Sequence, residues 1–312
     1  MITEPVHGLL SPVYDLLKSG EIEQAYRELT RILQQDLENG EVLYTLTGIN
    51  YWIDKLKKAS QAATAFERGE YLVSQWKPFT LYIQKQGPEN EPVLYALKQC
   101  VFTLALRFYQ SLYREDGTSQ DPELYRKTGL CYKALGDYER ALHLLEQAKD
   151  GDRDSPAILA ELADCYALCG ESRLSKVLFR EAFFQGASRI ELHFLESDIV
   201  QRLVAQVQAL GYSGAELVEW IPVYGVLYGV LNIKRELRAL EFGKLKQAIY
   251  AIENEIKDAP AETRSLLVPR LINHYFWLID HYVNVNDDKA RINEVLLKIK
   301  LLDTDVYNRY TM

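Results

Sequence analysis

The chain has 312 residues, of which 48% are hydrophobic and 26% charged, and its formal net charge is −8. This composition is that of an ordinary folded protein and excludes an intrinsically disordered chain. Because acidic and basic residues are interspersed, we predict no nucleic-acid partner, since binding a phosphate backbone needs clustered Lys and Arg.

The sequence also indicates no membrane span and no secretory signal. The first ten residues include Glu4, Pro5 and His7 and lack a basic region followed by an apolar one. The longest uncharged apolar stretch, residues 220–233, is fourteen residues long, whereas a bilayer-spanning helix needs about twenty. We therefore expect a cytoplasmic chain in which this stretch is a buried helix.

Residues 1–90 show a weak pattern of helical hairpins. A turn glycine followed by apolar residues on one helix face occurs at Gly20, Ala25, Leu29 and Ile32. The next hairpin would have its first helix at Gly48 and Tyr51 and its second at Ala62, Phe66 and Gly69. The second set is displaced by two residues, which predicts a lengthened turn at residues 54–58.

Two helices are predicted before the middle of the chain. Residues 70–86 read as a helix that is interrupted at Pro78. Residues 92–113 read as a long helix, which a loop follows in the segment 91–120. The predicted buried stripe of that helix is Leu94, Leu97, Val101, Leu104 and Phe108.

The strongest pattern lies at residues 121–186, where two stretches match each other at an offset of thirty-four residues without a gap. In each, a first helix carries a small residue followed by an aromatic one, a glycine ends that helix, and a second helix follows. The first copy has Tyr125, Gly129, Tyr132, Gly136, Ala141, Leu145 and Ala148, and the second has Leu159, Ala163, Tyr166, Gly170, Ser175, Phe179 and Ala182. A period of this size is typical of stacked helical hairpins.

The pattern resembles the tetratricopeptide repeat (TPR) family, strongly over residues 121–186 and weakly elsewhere. The resemblance implies an all-α, right-handed superhelix whose concave groove holds a segment of another protein. It divides one continuous solenoid into degenerate N-terminal repeats (1–90), a long connecting helix and loop (91–120), two clear units (121–186) and a C-terminal helical region with degenerate hairpins (187–312).

The resemblance also places a partner-binding groove on the first helices. Some relatives clamp a terminal carboxylate with Lys and Asn, but the matching positions here are Arg126, Leu130 and Glu161, so carboxylate clamping is not predicted. Small side chains instead leave room for a peptide or a helix. The alternative is a groove that the chain's own inserted helices fill. The predicted groove residues are Glu123, Arg126, Leu130, Lys133, Ala160, Asp164 and Ala167.

A second candidate interface lies in the apolar stretch of the C-terminal region. Gly225 and Gly229 are four residues apart, a spacing that permits close approach of two helices, and Tyr224 and Tyr228 lie one turn apart. Tyrosine is common in protein interfaces, so this patch would bind a partner or a second copy of the chain. The alternative is an interior helix, because the run carries no charge.

Two further helices are expected toward the end of the chain. A turn and second helix are indicated at Gly243, Ala248, Ile252 and Pro260. A last helix is indicated at residues 291–302. Its predicted inner face is Ile292, Val295, Leu296 and Ile299.

No catalytic, cofactor or metal motif is apparent. The five histidines are scattered. Cys165 and Cys169 have the spacing of half a zinc site, but no second pair completes it. Cys131 and Cys165 occupy matching repeat positions, about 9–10 Å apart between helix axes, which is too far for a disulfide unless both side chains turn inward.

The sequence therefore predicts a non-catalytic scaffold or adaptor that binds a protein or peptide partner, with no cofactor and no metal. One alternative is a regulatory protein that senses a small ligand or a peptide, with tyrosine-rich segments closing over a pocket. Another is an enzyme with a site in the non-repeat segments, for example around Glu236, His274 and His281.

Overall fold

The computed structural model describes residues 6–115 and 121–312, and within these ranges every regular element is a helix. The all-α class is therefore confirmed. The loop predicted at the end of residues 91–120 lies outside the described residues. In the described part of the chain, no helix is both long enough and apolar enough to cross a membrane. The helices form two compact units, Met1–Gly151 and Asp152–Met312.

The first unit is built around its longest helix, α6, which packs against α1, α3, α4 and α7. Since α6 has neighbours on several sides, it is buried around most of its circumference and not along the single predicted stripe. Its buried residues include Val93, Cys100, Phe102 and Tyr109. The helices are α1 (Val6–Lys18), α2 (Ile22–Leu33), α3 (Gly40–Ala59), α4 (Ala65–Ser74), α5 (Trp76–Ile83), α6 (Glu91–Glu115), α7 (Pro122–Ala134) and α8 (Tyr138–Gly151).

The second unit is built around α14, which packs against α12, α13 and α15. The unit has one large apolar core, to which α14 contributes Leu271, Ile272, Tyr275, Phe276 and Ile279. Two short 3₁₀ turns follow α10. The helices are α9 (Pro156–Leu168), α10 (Ser172–Gly186), α11 (Asp198–Ala209), α12 (Gly214–Leu227), α13 (Ala239–Asp258), α14 (Ala261–Asn284), α15 (Lys289–Leu302) and α16 (Thr304–Thr311).

The hairpins α7–α8 and α9–α10 repeat each other in backbone detail. Both first helices begin and end thirty-four residues apart, and each ends at a glycine with positive φ, 85° at Gly136 and 86° at Gly170. After each glycine the chain closes the same turn, with Asp137 N donating to Tyr132 O (2.9 Å) and Glu171 N donating to Tyr166 O (2.8 Å). This is the bond expected where a helix ends in a left-handed residue. The interval found in the sequence is thus also present in the backbone.

Within the first hairpin, Gly129 allows α7 to approach α8 closely. A Cβ atom at this position would lie 2.9 Å from Leu145 Cγ and 3.3 Å from the Ala141 carbonyl oxygen. Both distances are shorter than an ordinary carbon contact. Any larger residue here must therefore push the two helices apart or displace Leu145.

Three local predictions are wrong. Residues 54–58 form no turn, because α3 continues to Ala59; the chain turns later, before Thr64 caps α4 together with Glu67. The helix break falls at Gln75 and not at Pro78, which lies in the first turn of α5, where a missing N–H removes no helical hydrogen bond. Gly243 marks no turn, since it lies inside α13.

The helix expected at residues 291–302 is confirmed as α15. Val295 and Ile299 are buried, while Ile292 and Leu296 are partly buried against the same core. The next helix is α16. Asp303 caps its N-terminus by accepting a hydrogen bond from Val306 N (2.9 Å).

Candidate functional site

The α7 part of the predicted groove is mostly inaccessible. The side chains of Arg126, Leu130 and Lys133 are buried, with residue exposures of 5%, 1% and 1%, and only Glu123 is partly exposed. The Arg126 guanidinium donates to the Glu123 carboxylate over 2.8 and 2.6 Å. These residues therefore contribute to the interior of the folded chain.

A different face of α7 is covered by α6. Tyr113 donates its hydroxyl hydrogen to Thr128 (3.1 Å), and the Gln110 amide donates to the Tyr132 hydroxyl (2.8 Å). In addition, the Lys127 ammonium lies 2.8 Å from the Glu70 carboxylate. The inserted helix and its neighbour α4 thus use side chains of α7 as structural contacts.

The α9 part of the predicted groove is also occupied by the chain itself. Ala160 and Asp164 are buried, and Ala167 is partly exposed. The two carboxylate oxygens of Asp164 accept hydrogen bonds from Glu196 N and Ser197 N, both at 2.8 Å. Ser197 precedes α11, so Asp164 fixes the start of that helix, where the exposed backbone N–H groups favour a negative charge.

A sequence signal for this burial existed in α9 and was missed. Its residues Ile158, Leu159, Ala160 and Cys165 point to different sides of the helix, and all are buried. A helix that is apolar around its whole circumference is an interior helix and not the wall of an open groove.

The second predicted interface is partly accessible, but its glycines act differently from the prediction. Gly229 lies beyond the end of α12 with φ of 70°, so it turns the chain. The chain then folds back over Gly225, where a Cβ atom would lie 2.6 Å from a methyl carbon of Leu231. Tyr224 is buried, whereas Tyr228 is 38% exposed. The two glycines therefore form no helix-packing motif.

Beside Gly229 lies a pocket of about 420 Å³, which we call the Arg180 pocket. This volume falls within the range of small-molecule sites, about 300–1,000 Å³. Its walls combine the ends of α12 and α16, side chains from α10 and α14, and the segment that joins α12 to α13. The lining residues are Arg180, Val226, Leu227, Gly229, Asn232, Lys234, Asp280, Arg309 and Tyr310.

The charges of the Arg180 pocket are centred on a buried ion pair. Arg180 and Asp280 form a salt bridge, and their side chains are 4% and 3% exposed. Arg180 Nη1 also donates to the Ile233 carbonyl oxygen (2.8 Å). On the other side, the Lys234 ammonium lies 3.1 Å from Asp280 Oδ1. Two cations therefore share a single buried carboxylate.

The segment 228–238, which we call the strap, is held over α14 by these ions and by Arg235. The Arg235 guanidinium bridges the carboxylates of Glu181 (2.8 Å) and Glu241 (2.9 Å). This hydrogen bonding lowers the pKa of Glu241 below its ordinary value. The guanidinium carbons of Arg180 and Arg235 lie 4.9 and 5.4 Å from the centre of the Trp277 ring, a favourable cation–π arrangement. The strap is thus fixed as one wall of the pocket.

The other polar residues that line the pocket, Tyr310, Arg309 and Asn232, have side chains that can donate hydrogen bonds. Burial, with the Asp280 charge as a smaller cause, raises the pKa of Tyr310 to about 12, so its hydroxyl stays protonated near neutral pH. The Tyr310 ring stacks on Phe276 with centroids 4.5 Å apart. Arg309 Nε donates to Asp305 (2.8 Å) and its side chain is 42% exposed. Asn232 is exposed on the strap.

The residues of the enzyme alternative have separate surroundings. His274 Nδ1 lies 2.7 Å from the Arg270 carbonyl oxygen, and burial lowers the pKa of this histidine. The His281 ring stacks on Phe242 with centroids 4.3 Å apart. Glu236 is exposed on the strap. These neighbours give both histidines a packing role.

The cysteines and the metal-binding residue types show no assembled site. Cys100, Cys131 and Cys165 are buried and Cys169 is exposed. Burial raises the pKa of the Cys100 thiol to about 12, so it is unreactive. Among residues 6–115 and 121–312, no group of three or more His, Cys, Asp or Glu side chains could hold a metal ion.

Comparison with known proteins adds no relative from which a site could be transferred. No protein-family model matches the chain, and no curated protein matches it.

Proposed function

We propose that the chain is a non-catalytic scaffold or adaptor built of TPR-like helical hairpins, and that it binds a peptide or a helix of another protein. The observation that carries the proposal is the recurrence of α7–α8 in α9–α10, including the left-handed glycine and the hydrogen bond that closes each turn. Hairpins that repeat at this interval are typical of arrays that bind other proteins.

Within this proposal, the docking surface is the exposed patch at the end of α12. Tyr228 and Gly229 are accessible there, whereas most of the predicted groove residues on α7 and α9 are buried. A rigid aromatic side chain beside a pocket is the usual form of an interface anchor. Val226 and Leu227 extend the apolar part of this patch.

Crosslinking mass spectrometry on complexes purified from native cells tests the proposal. We expect one partner whose crosslinks cluster at Lys234, the lysine that lines the pocket together with Leu227 and Gly229. Tyr228→Glu should abolish them, and Tyr95→Glu, at a tyrosine that is 56% exposed in the other unit, should leave them unchanged. The scaffold function is contradicted if no partner rises above background. Equal capture by both variants would contradict the docking surface.

The Arg180 pocket favours one second function, the sensing of a small ligand. Its volume and its mixture of apolar and charged walls match small-molecule sites. This function predicts that a ligand raises the unfolding temperature, because binding to the folded state alone stabilises it. A small-molecule library screened by thermal unfolding tests it; a library without a single stabilising compound would contradict it.

A further inference from the structure

We infer that the Arg180 pocket binds a small ligand with an oxyanion group, a carboxylate or a phosphate, attached to an apolar body. The inference rests on the second function proposed above and supplies the chemical class of its ligand. It is independent of the scaffold function.

The first argument is the balance of charge in the pocket walls. Three cationic side chains line it, those of Arg180, Lys234 and Arg309, and the lining contains one carboxylate, that of Asp280. Asp305 pairs with Arg309 from outside the lining. Counting Asp305 with the lining, cations outnumber carboxylates by three to two, in a chain whose formal net charge is −8. A concave site with an excess of one sign concentrates ligands of the opposite sign.

A comparison within the same unit strengthens this argument. A second pocket, of about 430 Å³, lies between α13, α14 and α15. Its lining has three cations, Lys246, Arg291 and Lys298, and two carboxylates, Glu253 and Glu294. Asp287 pairs with Arg291 from outside the lining at 2.8 Å, so the charges counted in the same way are equal. The excess of positive charge thus distinguishes the Arg180 pocket from a cavity of similar size on the same scaffold.

The second argument is the number of hydrogen-bond donors that converge on the pocket. Lys234 and Arg309 are partly exposed, so they can turn toward a ligand while keeping their present carboxylate partners close. Asn232 and the protonated Tyr310 hydroxyl add neutral donors to the walls. An oxyanion accepts several hydrogen bonds at once, and bonds from charged donors are the strongest.

The third argument is the apolar part of the lining. Val226 and Leu227 form one wall, and the ring of Tyr310 another. A fully hydrated inorganic ion would leave these surfaces without a partner. A ligand with a short aliphatic body buries them, which favours binding because apolar surface leaves water. The occupant is thus an organic acid or an organic phosphate.

Calorimetric titration with defined probes tests the inference. The probes are 4-methylpentanoate, its uncharged amide and isobutyl phosphate. We expect at least one of the two anions to bind at least tenfold more tightly than the amide, which corresponds to about 1.4 kcal/mol. The stronger anion identifies the source of the oxyanion as a carboxylate or a phosphate.

Variants locate the binding. Lys234→Glu should weaken anion binding at least tenfold. Lys244→Glu makes the same change in net charge at an exposed lysine of α13 outside the pocket, and its affinity should stay within about twofold because surface charges at a distance are screened. Circular dichroism verifies that both variants are folded. Arg309→Gln provides a second variant that keeps the buried ion pair intact.

The outcomes separate the proposals. Equal affinity for the anions and the amide, or equal loss in Lys234→Glu and Lys244→Glu, would overturn the oxyanion inference. If a neutral compound from the thermal screen bound in the pocket, ligand sensing would stand without the oxyanion. If no probe and no library compound bound, both would fail, and the scaffold function would depend on the crosslinking result alone.

Discussion

Substitutions at Gly129 test whether the close approach of α7 to α8 holds the first matched hairpin together. An alanine Cβ would lie 2.9 Å from Leu145 Cγ and 3.3 Å from the Ala141 carbonyl oxygen, and Leu145 itself is fully buried. The contacted atom is a branch point next to the helix backbone, so it cannot swing aside as the tip of a flexible side chain could. Gly129→Ala must therefore shift α8, and Gly129→Leu must shift it further.

The size of the effect follows from two opposed contributions. Overpacking of a filled core costs about 1–3 kcal/mol. Replacement of a glycine by alanine inside a helix returns about 1 kcal/mol. We expect Gly129→Ala to lower the free energy of unfolding by about 1 kcal/mol. Gly129→Leu adds volume without a further gain in helix propensity and should cost more than about 3 kcal/mol.

Gly243→Ala is the matched control. Gly243 also lies inside a helix, α13, but a Cβ atom there would meet nothing within 4 Å. This variant should raise the free energy of unfolding by about 0.5–1 kcal/mol. Urea unfolding followed by far-ultraviolet circular dichroism measures all three variants. If Gly129→Ala stabilised the chain as much as Gly243→Ala does, the helix contact at Gly129 would have no energetic importance.

Three further predictions concern the interior polar groups. Arg180→Met should cost about 1.5–3 kcal/mol, because it leaves Asp280 with the partly exposed Lys234 as its remaining cation, and adding Asp280→Leu should restore most of the loss; urea unfolding that showed no recovery in the double variant would contradict this. Asp164→Ala should cost about 1–3 kcal/mol because two backbone N–H groups lose their acceptor, and Asp164→Asn should cost less; equal losses on urea unfolding would count against an energetic role of these two hydrogen bonds. The lowered pKa of His274 means that the unfolded chain binds a proton more readily. The stability of the wild type should therefore fall as the pH drops below about 6.5, the ordinary histidine value, and His274→Gln should show a shallower fall in unfolding temperature between pH 7 and pH 5; identical slopes would refute the assignment.

The repeated hairpin could be predicted because its signals are local. Gly136 and Gly170 end their helices by a backbone conformation that glycine adopts without steric cost. The turn predicted at residues 54–58 is absent, because that segment contains no glycine or proline that would end α3. The turn predicted at Gly243 is also absent, because a helix tolerates an interior glycine at a cost of about 1 kcal/mol.

The Arg180 pocket could not be predicted as a whole, because its walls come from four segments that are distant in sequence. Part of it left a signal, however. Asp280 is the lone Asp, Glu, Lys or Arg within residues 271–286. Buried charges are nearly always paired, so Asp280 indicates a buried cation partner. Arg180 carries no such signal, because Glu181 follows it directly and Lys176 lies one turn before it. What the sequence cannot supply is Lys234, whose position depends on how the strap folds back after Gly229.

The burial of α7 and α9 determines where a partner can bind. For a peptide to reach Leu130, Lys133, Ala160 or Asp164, the chain would have to expose apolar surface and the charged groups of Lys133 and Asp164. Asp164 would also lose the two hydrogen bonds that fix the start of α11. A marginally stable chain seldom has this much free energy to give up for binding. The patch around Tyr228 requires no such opening, because its aromatic ring and the adjoining pocket are already accessible, and it is therefore the surface on which the scaffold and sensing functions should first be tested.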